Sequence, residues 1–79
     1  MKTMVELTDS ARAHARRLGL ADRVHRLPLG QWTARGDLVA LDGEDGATFI
    51  VHARRVEIAP DGTAALVLVL DYPPRPAMR

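Results

Sequence analysis

The side chains that could do chemistry are few and scattered. The three histidines, His14, His25 and His52, fall in separate segments, without the i, i+4 or paired spacing of a metal set. There is no Cys, so a thiolate nucleophile, a disulfide and a cysteine zinc site are all excluded. Ser10 is the only Ser and falls where a helix begins, which suits capping rather than nucleophilic attack. No G-x-S-x-G, H-E-x-x-H or phosphate-binding glycine loop is present. Carboxylates gather in Asp42-Gly43-Glu44-Asp45-Gly46, but the turn offers no apolar wall to raise a carboxyl pKa. It also lacks the alternating ladder and terminal Glu of a calcium loop. No catalytic group, cofactor or metal ion is expected.

What remains is binding. Net charge is +1, yet residues 1–36 carry +4 and residues 37–72 carry −5. Such asymmetry suits a polar partner. The candidate partner contacts are the helical arginines Arg12, Arg16 and Arg17, the acidic loop residues Asp42, Glu44 and Asp45, the Arg54-Arg55 pair, and Trp32. The single Trp is expected to cap the open end of the core; left exposed, it would be an anchor for a partner.

These residues need elements to hold them. Seventy-nine residues make one domain, read here as residues 1–72 with a Pro-rich extended tail at 73–79. Thr8 or Asp9 can cap a helix over residues 9–18, and Gly19 suits its left-handed end. Ala11, Ala15 and Leu18 form its apolar stripe. Met1 to Leu7 alternates weakly, as an edge strand or ordered arm. Val24 to Leu29 has strand character, confined to an edge by Pro28. Gly36-Asp37 opens a strand through Leu41, and the acidic loop closes a hairpin onto Phe49.

The segment from Phe49 to Tyr72 carries most of the core. Phe49, Val51 and Ala53 share one face while Val56 and Ile58 have the other parity, which requires a bulge or bend near Arg54-Arg55. Pro60-Asp61-Gly62 makes the turn. Ala65 to Leu70 is apolar on both faces, so both faces must be covered. The expected fold is α+β: one N-terminal helix packed on a curved antiparallel meander of three to four strands. A cytoplasmic location is expected, because no signal-like apolar run opens the chain and Ala64 to Leu70 is too short to span a bilayer.

The hairpin FIVHARRVEIAPDGTAALVLVLDYP resembles that of small phage- and plasmid-borne proteins, with their F-x-V-x-x-R and L-x-L-x-L-D-x-P strands. The whole chain, small, Arg-rich and without chemistry, is similar to the phage anti-CRISPR proteins that act on type I Cascade, in particular the type I-C inhibitors. That resemblance implies a non-enzymatic inhibitor that binds the surveillance complex and blocks its access to DNA. In such a role the acidic loop would meet a basic groove that normally holds nucleic acid. GDLVAL before a bent strand also resembles the small RNA-binding barrels of the ASCH and PUA type. That favours the alternative, an RNA- or DNA-binding domain using Arg12, Arg16, Arg17, Arg23 and Arg26. A third reading is a structural homodimer paired through its doubly apolar strand.

Overall fold

Thr8 sets the first helix in place: its hydroxyl accepts a 3.2 Å hydrogen bond from the Ala11 amide, satisfying a donor that the first turn would otherwise orphan. The computed structural model describes residues 2–42 and 47–74. Its elements are β1 (Lys2–Leu7), α1 (Asp9–Arg17), α2 (Ala21–His25), β2 (Leu38–Ala40), β3 (Thr48–Ile58) and β4 (Ala64–Asp71). This is the α+β class that the sequence implies.

Helix α1 ends as its glycine requires. Gly19 takes φ +71°, its amide donates to Arg16, and the Leu20 amide donates to Ala15, closing the last turn. Ala11 and Ala15 are fully buried, and their small side chains let the helix axis approach the sheet. Leu18 departs from the expected stripe and is 44% exposed; His14, not Leu18, occupies the inward position. The strand character expected at Val24–Leu29 is not realised. The residues from Ala21 form the short helix α2 instead, which buries Val24 against the core.

The four-stranded sheet has the order β1-β4-β3-β2. Strands β2, β3 and β4 form the expected antiparallel meander, while β1 joins β4 in parallel, from Lys2 opposite Ala65 to Leu7 opposite Leu70. Helices α1 and α2 carry the chain back across the sheet before β2 begins, so β1, β2 and β4 all run the same way. The doubly apolar strand is therefore central, with a neighbour on each side.

The predicted phase change is real and lies slightly earlier. Val51 pairs with Leu70 but Ala53 pairs with Val69, so the bulge sits at His52 rather than at Arg54-Arg55. Pro60-Asp61-Gly62 closes the β3–β4 hairpin, with Gly62 at φ +89° and the Asp61 carboxylate accepting from the Thr63 amide and hydroxyl. One sheet face, bearing Val5, Leu7, Phe49, Val51, Leu66, Leu68 and Leu70, packs under the helices.

Among the described residues no helix lies over the second face. Its Val67 is nonetheless fully buried. Arg55, paired with Val67, reaches from β3 across β4 to Glu6 on β1 at 3.0 Å and also bonds Glu57 at 2.8 Å. Its aliphatic stem roofs the central strand while its charge stays in solvent.

Candidate partner-binding surfaces

The acidic loop is less free than its sequence suggests. Arg23 grips Asp42 through both guanidinium nitrogens, at 2.7 and 2.8 Å. That hydrogen bonding holds the Asp42 carboxyl below, and the Arg23 guanidinium above, their ordinary pKa values. Glu44 and Asp45 lie outside the described residues.

The other carboxylates of residues 37–72 are also engaged within the chain. Asp37 accepts from the Ala34 amide, Glu57 pairs with Arg55, Asp61 caps Thr63, and Asp71 accepts from Thr8 and Ser10. The charge asymmetry of the sequence is thus partly spent on internal pairs, since Arg23–Asp42 and Arg55–Glu6 each join the basic and acidic segments.

The helical arginines separate into two kinds. Arg12 is bound to Asp9 at 3.1 Å and to the Leu7 carbonyl at 3.3 Å, and Arg17 donates to His14 Nδ1 at 3.3 Å. Arg16 is exposed on the last turn and makes no ion pair among the described residues. Among the described residues the helix thus offers a guanidinium without an ion pair, at Arg16, flanked by two restrained ones.

Arg54 and Arg55 do not act together. They pair with Leu68 and Val67 respectively, on opposite faces of the sheet. Arg55 forms the roof described above. Arg54 turns the other way and donates to the carbonyls of Thr33 at 3.1 Å and Gln31 at 2.8 Å. It thereby braces the loop on both sides of Trp32.

Trp32 does not cap the core: it is 73% exposed. Two contacts hold it there. The indole folds over Gly30 so closely that a Cβ there would lie 2.6 Å from Nε1, and the Arg54 bonds fix the flanking backbone carbonyls of Gln31 and Thr33. Leu29, Thr33, Leu38 and Ala40 line an open groove of about 350 Å³ beside the indole. The Thr33 hydroxyl at its base is buried with no hydrogen-bond partner among the described residues, and Leu38 is 63% exposed. Nothing in the sequence marks Leu38, which reads as an ordinary strand residue, or Gly30, which reads as a turn.

The histidines are structural or peripheral. His14 is buried, stacked on Tyr72 with ring centroids 3.5 Å apart and edge-on to Phe49 at 6.1 Å. His25 Nδ1 lies 3.1 Å from the Val5 carbonyl, and His52 is exposed at the bulge. Among the described residues no group of three or more His, Asp or Glu side chains could hold a metal ion. No helix among them is long and apolar enough to cross a membrane. No protein-family model, curated protein or solved structure shows significant similarity to the chain.

Proposed function

We propose that the chain is a non-enzymatic protein-binding module that docks through the Trp32 loop. The observation that carries this reading is an exposed indole held in place rather than left to swing. Gly30 gives it a seat, and Arg54 fixes the backbone on both sides. A large aromatic ordered before binding loses little entropy on contact, which is the property of an interface anchor. The resemblance noted above makes the narrower form of the proposal an inhibitor of a type I CRISPR surveillance complex, acting in the reducing cytoplasm that a cysteine-free chain suits. The acidic loop is the weaker element of that form, because Asp42 is already paired with Arg23.

Trp32 is the only Trp, so its fluorescence reports directly on the docking surface. Purified type I Cascade added to the protein is expected to shift its emission to the blue and to lose target DNA in a competition assay. Unimpaired DNA binding at saturating protein removes the inhibitor reading. An unchanged emission with impaired DNA binding moves the contact away from Trp32.

A second reading, nucleic-acid binding by the helical layer, is favoured by one observation. Arg16 and Arg26 lack ion-pair partners among the described residues, while every described carboxylate of residues 37–72 is engaged. A gel shift at low salt that weakens steeply as salt rises is the expected result if this reading holds.

A further inference from the structure

The groove beside Trp32 is not apolar throughout. Leu29, Val39 and the exposed Leu38 supply its hydrocarbon, and Asp37 belongs to the same lining as the indole. Among the described residues Asp37 is the only charged group that lines it. Its Oδ2 accepts a 2.8 Å hydrogen bond from the Ala34 amide, a neutral donor that cancels none of its charge. No cation pairs with Asp37 among the described residues, and Arg35, two positions before it, is outside the lining. In this Asp37 differs from Asp42, Glu6 and Glu57, each already held by an arginine of the chain.

The carboxylate and the indole are both held in place before anything enters. The Asp37 amide donates to the Ala34 carbonyl at 3.0 Å, which closes a turn together with the side-chain bond. That turn is tied to β3. Gly36 donates to the Val51 carbonyl at 2.8 Å, and Val51 donates to the Asp37 carbonyl at 2.9 Å. The indole has its own supports in Gly30 and Arg54.

We propose that the groove receives an arginine side chain of the protein that docks on the Trp32 loop, an inference that rests on that docking role. Three parts of an arginine match three parts of the lining. Its aliphatic stem lies along Leu29, Leu38 and Val39. Its planar guanidinium stacks on the indole. Its N–H groups reach the Asp37 carboxylate, whose Oδ1 takes no hydrogen bond among the described residues. A lysine ammonium has no flat face to lay on the ring and fits less well. A nucleic acid fits worst, because the carboxylate repels its phosphates.

The probe is N-acetylarginine methylamide, titrated at low salt into the nitrogen-15-labelled chain and followed by nuclear magnetic resonance. Saturable shifts are expected at the Trp32 indole N–H and at the amides of residues 37–40. The citrulline analogue has the same shape without the charge and should leave these signals in place. Asp37→Asn keeps an oxygen for the Ala34 amide while removing the charge. It should weaken binding of the arginine probe about fivefold, the upper range for an exposed ion pair. Shifts no larger with arginine than with citrulline overturn the inference, and so does a lysine probe that binds as tightly. The citrulline comparison uses the unaltered chain, so it decides the matter even if the Asp37 variant fails to fold. Docking through Trp32 is decided separately, by the emission titration with Cascade, which this probe does not enter.

Discussion

The Thr8 hydroxyl donates a 2.6 Å hydrogen bond to Oδ1 of Asp71, a residue sixty-three positions further along the chain. The same hydroxyl oxygen accepts from Ala11, and Ser10 adds a 3.0 Å bond to the same carboxylate oxygen. One cluster thus caps α1 and fastens the helix start to the end of the central strand.

Hydrogen bonding from Thr8, opposed by partial burial, holds the Asp71 carboxyl below its ordinary pKa. A depressed folded-state pKa stabilises the protein above the unfolded value of about 3.9, and the contribution is lost as pH falls through the folded value. Urea unfolding between pH 5 and pH 2 (about the range over which a carboxylate titrates) should therefore show stability falling with acid. Asp71→Asn should flatten that dependence, and Thr8→Ala should flatten it while costing about 1 kcal/mol at neutral pH through the lost cap.

Core and edge leucines should respond very differently. Leu68 is fully buried in the central strand, so Leu68→Ala should cost about 2–5 kcal/mol in chemical denaturation. Leu38→Ala, on the open edge, should change monomer stability by no more than about 0.5 kcal/mol.

Gly30→Ala should displace the Trp32 indole without unfolding the protein, because its added methyl meets the exposed end of a side chain rather than backbone. Arg54→Ala should free the same loop from the other side. Both variants are expected to keep the wild-type far-UV circular dichroism while changing Trp emission and raising its quenching by acrylamide.

Arg55 tests the roof over Val67. Arg55→Met keeps most of the apolar stem and should lose less stability than Arg55→Ala. If the ion pairs with Glu6 and Glu57 carried the effect instead, the two variants would match and high salt would weaken the wild type to the same degree.

How far the sequence foretold these features depended on whether the signal was local. The cap at Thr8, the left-handed Gly19, the Pro60-Asp61-Gly62 turn and the parity change in β3 are all written within a few residues of where they act. The buried, two-sided strand was legible because apolar runs register burial. Its neighbours were not, since nothing in the pattern of Met4, Val5 and Leu7 states that β1 runs parallel to β4. Val24 misled because a lone buried residue in a five-residue helix looks the same as one in a short strand. Trp32 misled for another reason: hydrophobicity argues for burial, whereas the indole lies over Gly30 and its flanking carbonyls are held by the distant Arg54. Arg23–Asp42 and Arg55–Glu6 were invisible as pairs because their partners lie far apart in sequence.

The central place of β4 has a consequence for how the chain is made. A ribosome delivers the helices, β1, β2 and β3 before the strand that joins β1 to β3. Until Ala64–Asp71 emerges, β1 has no ladder and the apolar face beneath α1 has no floor. Closure then links residues far apart in sequence, Lys2 with Ala65 through Leu7 with Leu70, the kind of distant pairing that slows folding. Until that strand is in place the apolar surface of the earlier elements stays open, and they become self-sufficient only when β4 joins them.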